Sequence, residues 1–308
     1  MAISQVRVNI NGSWTVLTYN SGTDKWEGTV TAPSTTSHNQ SGGYYAVTVE
    51  ATNTAGTTTT ATVSDPTVGG ALQLKVLEKV APTISITSPG SGAFVINSQQ
   101  PIIFQLRDEV GGSGINLSTL ALKIDNGTTI GFSSSGMVCT AVTNGYDCVY
   151  MPPTALSDGS HTVTINVSDN DGNTATQASR AFTIDTQPPV LNVTNPANAN
   201  GLITGTAALT VQGSTNDAIS SPVAVTVKLN SAAATTATVD GSGNFAKAIT
   251  LAEGANTILV TATDAAGKQS TVTLSVTLDT TAPTVSSVSI SPNPADAGQT
   301  LTISVVIE

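Results

Sequence analysis

The best candidate for metal chemistry in the sequence is Ser168–Asn173, SDNDGN. Hard oxygen ligands close together are what a Ca2+ ion takes, and Asp185 and the pair Asp108–Glu109 are the distant partners available to such a site. The run lacks the ligand spacing and the bidentate glutamate of an EF-hand loop. Its plainer reading is a turn in which Asp169, Asn170 and Asp171 satisfy backbone groups, as Asp264 would in a similar stretch. No metal ligand is therefore assigned and no cofactor is expected, with Ca2+ kept as the alternative. The histidines are His38, in the polar loop STTSHNQSGGY, and His161. Neither can be placed in a Ser/His/Asp or Cys/His arrangement with any support from spacing. The expectation is a protein that is not an enzyme, with no catalytic residue to name.

Cys139 and Cys148 flank AVTNGYD, and Asn144-Gly145 is a two-residue hairpin signal. With that turn in strict register Thr143 faces Tyr146, and Cys139 faces Tyr150 rather than Cys148. A disulfide then needs a bulge or a diagonal contact; the alternative is two free thiols. Aromatic side chains beside amides and carboxylates could bind a host-surface glycan. Trp14, Tyr19, Trp26, Tyr44 and Tyr45 lie close to the N-terminus and include both tryptophans of the chain. The competing reading is core and sheet-face packing. On one strand Trp14 and Tyr19 point to opposite faces, so one of the two is expected to be exposed.

The elements that must hold these residues are strands. Tyr44–Thr57 reads YYAVTVEATNTAGT, Ser160–Thr174 reads SHTVTINVSDNDGNT, and Ala255–Gln269 reads ANTILVTATDAAGKQ. Each alternates apolar with small polar residues and breaks at a glycine, Gly56, Gly172 or Gly267, before a second alternating run. The unit is a strand, a turn and a returning strand. His161 stands where the other copies carry Tyr45 and Asn256, the mark of a structural position.

Three junctions, LEKVAPT, IDTQPPV and LDTTAPT, place an acidic residue and then proline between an old strand and a new one. Proline ends the ladder and holds its predecessor extended, so the connectors are stiff and a rod of domains is expected. The resulting units are about a hundred residues long, right for a seven-strand sandwich. The boundaries read 1–81, 82–188, 189–282 and 283–308. In the third unit strands are expected at Val190–Val193, Ala208–Gln212, Val223–Leu229, Thr236–Asp240 and Asn244–Leu251, with a hairpin over Thr257–Leu278 and Phe245 in the core. The second has the same order with an insertion at Gly127–Tyr150. The first begins at the third strand of the pattern, with Trp26 aligned on Phe245. Pro283–Glu308 matches only the first two strands.

Composition agrees. Charged residues are 10% and aromatic residues 4% of the 308, too few Leu, Glu, Lys and Arg for amphipathic helices. The net charge is −10, with no basic patch for nucleic acid or an anionic membrane. No apolar run approaches the length that spans a bilayer, and MAISQVRVNING enters a strand pattern directly, without a signal-peptide pattern.

APTISITSP, DGSHTVTINVSDNDGNTA and EGANTILVTATDAAGK resemble bacterial immunoglobulin-like repeats, over essentially the whole chain from Pro82 and more loosely before it. The ending VSISPNPADAGQTLTISVVIE resembles the C-terminus of phage tail-associated proteins from Gram-positive hosts. The resemblance implies an all-β fold of tandem immunoglobulin-like β-sandwich domains, serving as stalk, spacer or binding module with no fixed ligand. The expected function is a non-enzymatic structural or adhesive component of an extracellular assembly, on a phage virion or tail. The alternatives are a bacterial surface adhesin or filament subunit and an accessory region of a secreted glycan-degrading enzyme. The expected partner is protein, self or another particle component. It is held through the C-terminal strands, whose alternating Val285, Val288, Ile290, Leu301, Ile303, Val305 and Ile307 need a covering surface. The incomplete first domain of a neighbouring copy is the simplest one. Two alternatives are as plain: the sequence stops partway through a repeat, or Leu72–Leu77 already supplies the strand that completes that first domain.

Overall fold

The computed structural model describes residues 2–197 and 200–308. The chain divides into two compact units, Met1–Asp185 and Thr186–Glu308. The first unit opens with strands β1 (Ile3–Ile10), β2 (Ser13–Asn20), β3 (Lys25–Glu27), β4 (Tyr45–Asn53), β5 (Thr58–Ala61) and β6 (Gln73–Leu74). They form one six-stranded sheet in the order β3-β2-β1-β4-β5, with β6 also on β4. It continues with β7 (Thr83–Ser88), β8 (Ala93–Val95), β9 (Ile102–Arg107), β10 (Ile115–Ile124), β11 (Met137–Val142), β12 (Gly145–Tyr150), β13 (Gly159–Asp169) and β14 (Ala178–Ile184). These make two sheets, β11-β12-β9-β7 and β10-β13-β14-β8.

The second unit holds β15 (Val190–Asn195), β16 (Asn200–Thr204), β17 (Ala208–Asn216), β18 (Ala224–Leu229), β19 (Thr235–Thr236), β20 (Thr238–Val239), β21 (Asn244–Thr250), β22 (Gly254–Thr263) and β23 (Gln269–Leu278). They pair as β15-β17-β21-β20 and β16-β23-β22-β18-β19. The hairpin β24 (Val285–Ser291) and β25 (Thr302–Ile307) follows.

The second and third repeats are immunoglobulin-like sandwiches with the same strand pairing, and alternation builds their cores. Along β9, Ile102, Phe104 and Leu106 point inward, and along β13 Val163, Ile165 and Val167 do. In the third repeat Val225, Val227, Phe245, Ile258, Val260 and Val276 meet in the same way. The stretch Gly127–Tyr150 is not an insertion: it contains β11 and β12, which occupy the place of β20 and β21 in the third repeat. The parallel strand β16, absent from the sequence reading, pairs with β23 as β8 pairs with β14.

The three repeated turns close identically. Gly56, Gly172 and Gly267 have φ of 82°, 95° and 87°, which a side chain would resist. Asn53, Asp169 and Asp264 each accept a hydrogen bond from the backbone N–H four residues on, at 2.9, 2.8 and 2.8 Å. The position that carries His161 is also common to all three. Tyr45, His161 and Asn256 are buried, and each ties its strand to a loop: to Thr35, to Asp125 and the Ser157 carbonyl, and to the Ala252 and Gly254 carbonyls.

Outward-facing threonines such as Thr257 and Thr273 are exposed. Replacing either by Ala should move stability by no more than about 0.5 kcal/mol, read from thermal melts.

The first repeat departs from the pattern. It has the sheet that corresponds to β16-β23-β22-β18-β19 and no second layer among the described residues. The stretch Leu72–Leu77 contributes only β6, which joins β4 of the same sheet and so completes no sandwich. Trp26 therefore does not take the place of Phe245: it sits in β3, half-buried beside Tyr19, with ring centroids 5.7 Å apart. For the same reason Trp14 and Tyr19, on opposite faces of β2, are both exposed, at 43% and 48%. Among the described residues no opposing layer covers either face there.

The cysteine hairpin has a different register from the one expected. Val142 pairs with Gly145, so the turn is Thr143-Asn144, and Cys139 pairs with Cys148. The two form a disulfide with Cα atoms 4.1 Å apart, needing neither bulge nor diagonal. The reason lies in the next strand. A Cβ on Gly145 would sit 1.9 Å from the Leu106 carbonyl oxygen. Glycine is thus spent on close approach to β9 rather than on the turn, and Asn144 takes the turn's positive φ of 57°.

Candidate functional site

The repeat architecture brings three separated acidic stretches together within the first unit. Asp108 and Glu109 begin the loop between β9 and β10. Asp169 and Asp171 belong to the turn between β13 and β14, and Glu78 lies in the LEKVAPT junction after β6. One carboxylate oxygen each from Glu78, Asp108 and Asp169 lies within 4.8 Å of the other two.

Backbone groups and amides fix the cluster. Gly114 N–H donates to Asp108 Oδ2 at 2.7 Å, and Ser113 N–H donates to Glu78 Oε1. Asn173 donates twice to Asp169, from its backbone at 2.8 Å and its side chain at 2.7 Å. Asp171 Oδ2 accepts from Thr36 Oγ1 at 2.5 Å and from Glu78 N–H at 3.0 Å. Asn39 Nδ2 donates to the Gly112 carbonyl at 2.6 Å, a second tie from the first repeat. The turn reading of Asp169 thus holds, yet the residue also belongs to a carboxylate cluster.

Three oxygens are left over. Asp108 Oδ1, Glu78 Oε2 and Glu109 Oε2 are buried without a hydrogen-bond partner. Asp108 is only 8% exposed. Its burial, and then repulsion from Glu78, Asp169 and Asp171, raise its pKa above the ordinary carboxylate value, against the lowering hydrogen bond from Gly114. Among the described residues none of these five carboxylates forms a salt bridge.

Glu78 was noticed in the sequence only as the acidic residue of a junction; its convergence with Asp108 was not legible there. A usable signal did exist at Asp171. The other two copies of the turn carry Ala55 and Ala266 at that position, so the turn itself needs no carboxylate. Asp185 stands apart: it follows Ile184, which pairs with Gly159 at the opposite end of β13 from Asp169.

The histidines and the aromatic residues of the first repeat differ in exposure. Both ring nitrogens of His161 meet acceptors, Asp125 Oδ2 at 2.6 Å and the Ser157 carbonyl at 2.8 Å, and the ring is buried. His38 is exposed in its loop, its backbone N–H held by Thr36 Oγ1 at 3.1 Å. The Arg7 guanidinium lies 4.3 Å above the Trp14 ring and pairs with Glu50. Tyr19, Trp26 and Ile3 line a shallow apolar recess, with the Tyr19 hydroxyl bonded to Asp24.

Residues 109–186 match the family profile of a bacterial Ig-like domain, and residues 189–280 match that of glucodextranase, domain B. No curated protein sequence matches the chain. Among solved structures, an I-band fragment of titin is 14% identical, with 90% of this chain and 88% of that one covered and a TM-score of 0.43. Fibronectin(III)-like modules of Clostridium thermocellum CbhA are 13% identical, covering 64% of this chain and 94% of theirs at a TM-score of 0.38. A Ca2+-stabilized adhesin of an Antarctic bacterium that binds ice is 19% identical, over 94% of this chain and 68% of that one, with a TM-score of 0.36.

Proposed function

We propose that this chain of tandem immunoglobulin-like sandwiches is a non-enzymatic structural and adhesive component of an extracellular assembly, borne on a phage virion or tail. The observation that carries the reading is where its polar and apolar groups are spent. Buried polar side chains such as His161, Asn256 and Asp169 serve turns and strand ends. The hairpin β24–β25, by contrast, presents an uncovered apolar face. Val285 pairs with Ile307, Val288 with Val305 and Ile290 with Ile303, so the six share one side, and every one is exposed. An apolar strand pair of that kind is a protein-docking element. The Cys139–Cys148 disulfide supports a working place outside a reducing cytoplasm. The narrower phage assignment rests on the resemblance of the ending VSISPNPADAGQTLTISVVIE to phage tail-associated proteins.

A second reading is an accessory region of a secreted glycan-active enzyme, favoured by the match of residues 189–280 to domain B of glucodextranase. Mass spectrometry of density-purified particles, cell envelope and culture medium from the source separates the two. The phage reading expects peptides of this chain to co-sediment with tailed particles. Recovery only on a polypeptide that also carries a catalytic domain would replace it with the second.

Assembly through the C-terminal strands has its own test. The full chain should gain mass with concentration in light scattering, and a chain lacking Pro283–Glu308 should remain a monomer. If the shortened chain associates as well as the full one, that hairpin is not the docking element.

A further inference from the structure

We propose that Glu78, Asp108, Glu109 and Asp169 form a Ca2+ site that locks the junction segment of the first repeat onto the second. The inference is independent of the phage reading and stands or falls separately from it.

Three observations carry it. The first is the set of orphaned oxygens: Asp108 Oδ1, Glu78 Oε2 and Glu109 Oε2 are out of water and receive no hydrogen bond. A buried acceptor left unmatched is costly, and a buried carboxylate more so. Here three come from two stretches some thirty positions apart in the sequence, and Asp108 is more than nine-tenths buried. The second is the missing counter-charge. Five carboxylates share the site, and no Lys or Arg pairs with any of them among the described residues. Burial of like charges in one place is tolerable when a cation sits among them. The third is that the surrounding donors leave the same oxygens open. Gly114 N–H takes Asp108 Oδ2 and Ser113 N–H takes Glu78 Oε1, which fixes each carboxylate by one oxygen and frees the other. Gly112 lies against the group, where a Cβ would come within 2.6 Å of Asp108 Oδ2 and 2.8 Å of Glu78 Oε2.

The donor set selects the ion. It is all oxygen, without the His or Cys that Zn2+ prefers. It is rich in carboxylates carried on irregular loops, which suits the larger and geometrically tolerant Ca2+ better than Mg2+, an ion that demands near-octahedral order and keeps its waters. Because Glu78 belongs to the junction while Asp108, Glu109 and Asp169 belong to the second repeat, the ion would join the two, alongside the contacts of Asp171 with Thr36 and the Glu78 backbone.

The test uses the full chain, stripped with chelator and titrated with CaCl2, with MgCl2 in parallel. Calorimetry should show saturable Ca2+ binding with Kd between about 1 µM and 1 mM, and weaker binding of Mg2+. Saturating Ca2+ should raise the lowest melting transition by roughly 5 °C or more and slow proteolysis within Leu77–Thr83. Asp108→Asn, Glu78→Gln and Glu109→Gln should each weaken this binding at least about tenfold. In chelator Asp108→Asn should melt higher than the parent chain, because it removes buried repulsion; loss of a purely structural contact would lower it. Should Asp108→Asn fail to fold, the half-buried Glu109 carries the comparison. Absence of any heat or melting shift up to about 5 mM CaCl2, above what extracellular calcium modules require, would overturn the proposal. So would an unchanged Ca2+ response in Glu78→Gln and Glu109→Gln.

Discussion

Phe245→Ala unfolds the third repeat at temperatures where the parent chain is intact. Phe245 is 3% exposed and lies in β21 opposite Gly213, whose missing side chain makes room for its ring. A Cβ on Gly213 would be 2.6 Å from Phe245 Cζ. Among the described residues Phe245 is the only aromatic one in a core otherwise made of valine, leucine, isoleucine and alanine. Neighbours of that size, anchored in two sheets, cannot collapse into the space it leaves. The expected loss is about 3–5 kcal/mol, a large part of the stability of a domain this size. Calorimetric scanning reads it as one transition moved down by tens of degrees while those of the other repeats stay in place. An unchanged profile would remove Phe245 from the core.

The second large effect belongs to Gly145→Ala. Here the added methyl meets backbone instead of a side chain: the Leu106 carbonyl oxygen at 1.9 Å and Cα of Arg107 at 3.1 Å. Neither can rotate away, so β12 must separate from β9 at that end, breaking the pairing of Gly145 with Arg107. Overpacking of this kind costs about 3 kcal/mol. The melting transition of the second repeat should fall accordingly, and the amides of Asp108 and Tyr146 should lose protection from hydrogen exchange. Asn144→Ala, at the turn, should cost less, about 1 kcal/mol for the left-handed backbone alone. Equal losses at the two positions would contradict the register in which Thr143 and Asn144 form the turn.

Much of the architecture was legible from local pattern. The alternation in SHTVTINVSD and ANTILVTATD specifies strands, because one face must be apolar and the other wet, and that period involves only neighbours along the chain. Gly56, Gly172 and Gly267 mark turns for an equally local reason, the positive φ that the turn demands. Phe245 was recognisable as core because it is a lone large side chain at an inward position of such a strand. The apolar face of β24–β25 followed from the same arithmetic.

What tertiary structure decided depended on groups far apart in sequence. The cysteine register turned on whether Gly145 serves its own hairpin or the neighbouring β9, and only the close approach of Leu106 chooses between them. Trp26 aligns with Phe245 in sequence, yet a strand becomes core only when a second layer covers it, and among the described residues the first repeat has one sheet. The acidic site is the extreme case. Asp169 and the pair Asp108–Glu109 could be named from sequence as oxygen ligands, but with Asp185 as a further partner and without Glu78, which reads there only as a junction residue. Glu78 joins Asp108 and Asp169 because the sandwich brings the ends of β9 and β13 together and the junction segment crosses that end, so the membership of the cluster was decided by packing.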